Sequence, residues 1–168
     1  MKHAKILIFS DSHGCARNLM RALEEHQNTY DFVFHLGDGI ADLPPLQSET
    51  ACVRGNYEDC FQQFRAYPQE LLLNIAGKNI LLCHGHQYHV KSTEAVLTQH
   101  AARKDADIVL YGHTHVPCQR YLSDDGRHKP LYVLNPGSIS RPRDGRASYG
   151  VLEISTSGGV LLSHRYME

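Results

Sequence analysis

Apolar residues in this chain come in short runs, and most of the runs end alike. "KILIF" passes into Ser10, Asp11, Ser12, His13 and Gly14, and "FVFHL" into Gly37 and Asp38. "ACV" leads to Arg54, Gly55 and Asn56, "NILLC" to His84, Gly85 and His86, and "DIVLY" to Gly112, His113, Thr114 and His115. Runs this short, each closed by glycine and polar residues, predict buried strands. From Ala16 to His26, Leu19, Met20 and Leu23 recur at helical spacing, which predicts a helix. Ser92 and Thr93 can start another that reaches about Arg103. Strands alternating with helices imply βα units and a largely parallel sheet.

The second half adds hairpins. Two strands flank Ala76-Gly77-Lys78, two flank a turn near Asp125-Gly126, and a terminal pair flanks Ser157-Gly158-Gly159. No linker, repeat or low-complexity stretch interrupts the chain, so residues 1–168 read as one α/β domain. Its simplest form is two packed mixed sheets with helices outside. A chain of 168 residues buries roughly 70% of its extended surface and needs no disulfides to keep a core.

Composition removes several function classes. Lys and Arg total 17 against 18 Asp and Glu, a net charge of −1. That balance argues against a general nucleic-acid binder, so no duplex binding is expected, and against a polybasic membrane-surface protein. No run approaches the ~18 apolar residues of a membrane span, and the N-terminus lacks a leader pattern. The expectation is a cytoplasmic protein without a membrane partner. The 5 cysteines are scattered, with no C-x-x-C pair, and read as reduced thiols. Histidine is over-represented, at 12 residues.

Placed on the strand pattern, these histidines suggest chemistry. Five strand ends carry Asp11, His13, Asp38, Asn56, His84, His86, His113 and His115, and α/β sheets bind ligands beyond the carboxyl ends of their strands. In an extended segment, residues two apart share a face. On that reading Asp11/His13, His84/His86 and His113/His115 each aim two side chains into one cavity, with the neighbouring glycines leaving room. Carboxylates, imidazoles and one amide oxygen suit Mn, Fe, Co, Ni or Zn. The donors are too many for one tetrahedral ion, and two ions sharing a carboxylate fit better. Two divalent ions against Asp11, Asp38 and a hydroxide leave net positive charge, which suits a phosphate oxyanion. A neutral Asn56 preserves that surplus.

Plainer roles compete for the same residues. Asp11 and Asp38 could cap helices, and Asn56 could be a turn residue after Gly55. Arg54 and Arg143 fit a phosphate contact or a simple salt bridge. His86 could orient His84 or touch a substrate oxygen. His35, inside an apolar run, reads as a packed core histidine, and Cys83 as core. His3, His26, His100, His128 and His164 read as surface residues, and His89 has no assigned place.

"DSH", "GD", "GN", "HGH" and "GHTH", at residues 11–13, 37–38, 55–56, 84–86 and 112–115, resemble the calcineurin-like metallophosphoesterases in order and spacing. With "NPGS" at 135–138 and "PR" at 142–143, the chain is similar to their small YfcE-type bacterial and archaeal phosphodiesterase branch. The resemblance spans Asp11 to Arg143. It implies a four-layer α/β/β/α sandwich and two divalent ions, Mn first, with Ni, Co, Fe or Zn as alternatives. One ion would be held by Asp11, His13, Asp38 and His115. The other would be held by Asp38, Asn56, His84 and His113, with Asp38 bridging. A metal-bridging hydroxide would attack a small phosphodiester in line, and Asp38, Asn56, His86 and Arg143 would form the catalytic set. Many superfamily members carry a histidine after the asparagine where this chain has Tyr57, and a phenol gives up its proton to a leaving group only with difficulty. That favours diesters or activated esters over alkyl monoesters. Small members often pair, so a homodimer or higher homo-oligomer is compatible. The rival implied by the same resemblance is a metal-binding protein-interaction scaffold, like the retromer subunit that shares this fold.

Overall fold

The computed structural model describes residues 3–27, 29–126 and 128–168. Strand β1 (Ala4–Phe9) leads to helix α1 (Ala16–Glu25), then β2 (Phe32–His35), β3 (Glu49–Cys52) and a one-turn helix α2 (Asn56–Asp59). A hairpin of β4 (Glu70–Ile75) and β5 (Lys78–Cys83) is followed by α3 (Ala95–Arg103), β6 (Ile108–Leu110), β7 (Pro117–Leu122) and β8 (Leu131–Pro136). The chain closes with β9 (Ser148–Ile154) and β10 (Val160–Tyr166).

These strands make two five-stranded mixed sheets, ordered β10-β9-β1-β2-β3 and β4-β5-β6-β8-β7. Strand alternation explains the layering. Ile6 and Ile8 of β1 face the second sheet and pack with Phe34, Leu82, Ile108, Leu110 and Leu134. Leu7 and Phe9 point the other way, onto Leu19, Ala22 and Leu23 of α1. In the second sheet Leu81, Cys83, Val109 and Val133 turn outward to Leu97 and Ala101 of α3. Both faces of each sheet are covered, so the central strands read as unbroken apolar runs. Helix, sheet, sheet and helix give the four-layer sandwich that the sequence implies.

Local details differ from the periodicity. Met20 is exposed, although it sits between core residues Leu19 and Ala22. The β2–β3 crossover carries only a 3-10 turn at Ile40–Asp42, because Pro44 and Pro45 follow and cannot continue a helix. Helix α3 starts at Ala95, where Thr93 Oγ1 accepts the Ala95 N–H at 3.2 Å.

Strands β1, β2 and β3 run parallel, as do β5, β6 and β8. The loops that follow five of these strands bring their histidines, carboxylates and Asn56 to one end of the sandwich. No helix among the described residues is long and apolar enough to cross a membrane.

His35 is the buried histidine that the sequence suggested. Its Nδ1 accepts the Gly37 N–H at 3.2 Å, which leaves the proton on Nε2, 3.1 Å from Ser12 Oγ. Burial lowers its pKa from 6.5 to about 4. The unfolded chain therefore binds a proton that the fold refuses between those values, and stability is lost as pH falls from about 6.5 to 4. The expected loss is on the order of 3 kcal/mol. Urea midpoints of the metal-free protein across this window should drop, and those of His35→Gln should drop less.

Candidate metal centre

Asp11 and His13 stand on the loop after β1, Asp38 after β2, Asn56 at the start of α2, His84 just after β5, and His113 and His115 after β6. Two groups of donors emerge. Ligand atoms of Asp11, His13 and His115 lie within 4.8 Å of one another, as do those of Asp38, His84 and His113. The groups share a border: Asp11 Oδ1 is 3.9 Å from His84 Nε2, and Asp38 Oδ2 is 3.9 Å from His13 Nε2 and 3.5 Å from His84 Nε2. Asn56 lines the same cleft, of about 390 Å³, beside Asp38 and His113.

The side chains do not converge by the extended geometry that their i, i+2 spacing suggests. Asp11, His13, Asp38, His113 and His115 all have φ between 45° and 68°. Non-glycine residues in this left-handed region cost on the order of 1–3 kcal/mol each and gather at functional sites. Strands β1, β2 and β6 end in sharp left-handed turns, and these turns, rather than a pleat, aim their donors. Within "GHTH" this turns His113 to the Asp38 group and His115 to the Asp11 group. Gly112 serves proximity rather than turning, since a Cβ there would sit 1.9 Å from Ser10 Oγ.

Proton placement tests whether a cation fits. His115 Nδ1 donates to the Arg141 carbonyl at 2.7 Å, and His84 Nδ1 donates to the Leu36 carbonyl at 2.7 Å. Their Nε2 lone pairs are thereby turned inward. His115 Nε2 lies 3.2 Å from His13 Nε2 and 3.1 Å from Asp11 Oδ1, and His84 Nε2 lies 3.2 Å from His113 Nδ1. Asp11 Oδ1 is fully buried without a hydrogen-bond partner. Acceptors facing acceptors in a buried pocket are unfavourable unless positive charge sits among them. The donor set fits two divalent cations.

Electrostatics agree. Burial pushes the Asp11 carboxyl up, but the imidazoles of His115, His13 and His84 outweigh it and hold it below the usual carboxylate range. At Asp38 burial also raises, and His84 with the Tyr57 N–H brings the net shift down. His84 is raised, because Asp11 and Asp38 overcome its burial, and His115 is raised chiefly by Asp11. His113 falls to about 4 through burial, aided by the His84 and Lys91 charges.

The turns are braced by groups outside the histidine motifs. Glu58 is buried, and its carboxylate accepts the N–H groups of Asp38, Gly39, Ile40 and Gly55 at 2.6–3.1 Å. It was missed in the sequence, although Glu three residues after the helix-start glycine is the N3 half of a capping box. Glu58→Ala leaves these donors unsatisfied. We expect a loss of about 3 kcal/mol and a melting temperature lower by roughly 10 °C, read by thermal denaturation. "NPGS" is a brace as well as a turn. Asn135 Nδ2 donates to the Gly112 carbonyl at 2.8 Å, and Ser138 Oγ donates to the Asp11 carbonyl at 2.7 Å.

The remaining basic residues divide. Arg143 lines the cleft together with Lys91 and Arg141, which the sequence reading did not single out. Arg54 points elsewhere. Its Nε pairs with Asp59 Oδ1 at 2.6 Å and its guanidinium donates to the Tyr67 carbonyl, so it ties down the loop after α2. His86 belongs to neither donor group. Its Nε2 faces Asp59 Oδ2 at 3.1 Å, and its ring stands 5.5 Å from that of His84. Cys83 is fully buried with its thiol pKa pushed up by burial, which suits a core residue. A groove of about 640 Å³ opens at the opposite end of the sandwich, with Phe32, Phe34, Leu73 and Ile75 in its lining; His3, Asp31 and Glu49 also line it, but among the described residues they form no converging donor group.

Residues 4–157 match the family model described as the calcineurin-like phosphoesterase superfamily domain. The probable metallophosphoesterase YsnB of Bacillus subtilis is 30% identical over 158 residues, covering 93% of this chain and 88% of its own. Phosphodiesterase YfcE of Escherichia coli K12 is 27% identical over 175 residues, covering 89% and 87%. A predicted phosphoesterase structure from Streptococcus pneumoniae superposes with a TM-score of 0.74 at 28% identity, covering 99% of each chain. Vps29 of Entamoeba histolytica, solved with zinc, superposes at 0.71 over 96% of this chain and 98% of its own; at 22% identity it speaks for the fold alone.

Proposed function

The chain belongs to the calcineurin-like phosphoesterase superfamily, and from that membership we propose that it hydrolyses phosphodiesters at a two-cation centre. The observation that carries the reading is the pair of donor groups, with inward lone pairs and an unpartnered buried Asp11 Oδ1 between them. Asp11, His13, Asp38 and His115 would hold one divalent cation, and Asp38, Asn56, His84 and His113 the other. Mn is the first choice, with Ni, Co, Fe and Zn as alternatives. Such a pair supplies an activated water near neutral pH and draws negative charge off the phosphoryl oxygens.

The chain's own residues do the rest. Lys91, Arg141 and Arg143 line the cleft and place positive charge where a phosphate would enter. His86, fixed by Asp59, stands beside His84 and can steady that ligand or meet a substrate oxygen. Tyr57, in place of a histidine, is a poor proton donor to an alkoxide, so the reading favours diesters and activated esters. The relative named as a phosphodiesterase agrees. We place the protein in the cytoplasm as one domain, alone or as a homo-oligomer.

The rival is a metal-binding interaction scaffold, which the likeness to Vps29 in fold accommodates. All seven ligand positions are filled here, whereas a scaffold need not retain them. A hydrolysis screen separates the two. Purified protein loaded in turn with Mn, Ni, Co, Zn and Mg should cleave an aryl phosphodiester with at least one metal, and faster than the aryl monoester. Silence with every metal in folded, loaded protein would favour the scaffold, and a faster monoester would remove the preference for diesters.

A further inference from the structure

Beside the cleft runs a row of aromatic rings that the chemistry above does not use. The Tyr57 ring stands edge-on to His13, with centroids 6.4 Å apart. From it the row continues to Phe61 at 5.2 Å, Phe64 at a further 6.3 Å and Tyr67 at a further 6.4 Å. Tyr57 is 50% exposed, Phe61 42% and Tyr67 38%. Single exposed aromatics are ordinary, but contiguous ones mark binding surfaces. These rings bury too little to be explained by the core.

Their place decides what they would bind. The row begins at a residue of the Asp11 group and next to Asn56. Beyond it the cleft holds Lys91, Arg141 and Arg143. A ligand spanning both regions carries an anionic group in the cleft and a flat, apolar face immediately outside it. Aromatic side chains stack on any base because every base has a π-face, and a sugar supplies the short link between phosphate and base. We infer that Tyr57 and Phe61 form a platform for the nucleobase of a nucleoside phosphodiester. This rests on the diesterase reading and narrows its substrate class. The platform holds the part of the substrate that stays on phosphorus, so it sets specificity rather than chemistry.

The test uses two substrates with the same leaving group: thymidine 5′-(4-nitrophenyl phosphate) and its abasic deoxyribose counterpart. In both, water adds its oxygen to phosphorus, the bond to the nitrophenyl oxygen breaks, and the products are a sugar monophosphate dianion, nitrophenolate and two protons. Only the base differs. The wild-type protein should favour the thymidine ester by about tenfold or more in kcat/KM. Tyr57→Ala and Phe61→Ala should each collapse most of that ratio, while Phe61→Tyr should retain it. Equal rates on the two esters, or a ratio that survives both alanine substitutions, would overturn the platform and leave the diesterase standing. Cleavage of neither ester would overturn the diesterase and the platform with it.

Discussion

Asp38→Asn should abolish turnover and weaken both cations at once. Asp38 Oδ2 lies 3.5 Å from His84 Nε2 and 3.9 Å from His13 Nε2, one donor from each group. Its other oxygen, Oδ1, accepts the Tyr57 N–H at 2.8 Å, so an amide oxygen can keep that bond and the loop need not move. The substitution therefore removes charge with little change in shape. A neutral amide cannot serve two cations as a carboxylate does. We expect kcat to fall by at least about 1,000-fold, beyond the loss from a single transition-state donor. Metal analysis after dialysis should show both sites depleted. Loss of one cation alone would mean that Asp38 does not bridge.

The second large effect comes from a residue with no side chain. Gly37 precedes Asp38 at φ +95°, a conformation that L side chains rarely adopt. A Cβ there would lie 2.5 Å from Gly55 N, 2.8 Å from Gly55 Cα and 3.0 Å from the Arg54 carbonyl carbon. All three are backbone atoms, so none can swing aside. The turns after β2 and β3 touch at this point, and Glu58 bridges them through the N–H groups of Asp38 and Gly55. Gly37→Ala should force them apart and move Asp38 away from Asn56. A loss of about 4 kcal/mol is expected, from backbone strain and the clash together, with metal affinity lost as well. Chemical denaturation and metal titration read the two consequences. Near-wild-type stability with full metal binding would show that the turns tolerate separation.

Much of this architecture is written in local patterns. The parallel strands are apolar runs because both of their faces are covered, and the hairpins announce themselves at Ala76-Gly77 and Gly158-Gly159. The candidate ligands stand out because each follows a strand, and the family resemblance assigns His113 and His115 to different ions. What the sequence obscured depends on three dimensions. An i, i+2 pair looks extended on paper, but Asp11, His13, His113 and His115 reach their places through left-handed turns, which follow from how neighbouring loops pack. Glu58 looked like an ordinary helical acid, because its four N–H partners lie in two separate turns. Lys91 and Arg141 carry no motif and meet the cleft only when the loops after β5 and β8 fold over it. Tyr57, Phe61, Phe64 and Tyr67 recur at helical spacing, which on paper suggests a buried helix face; the chain there forms only a one-turn helix and a 3-10 turn, so the exposed row is visible only once the rings are placed.

The central claim is that two cations act together on a phosphodiester. Metal-free protein titrated with Mn, with bound metal and aryl phosphodiester hydrolysis followed on the same samples, tests it most directly. The account predicts two equivalents bound per chain and a rate that rises as the second site fills. A rate that saturates at one equivalent, or two bound equivalents with no hydrolysis, would contradict it.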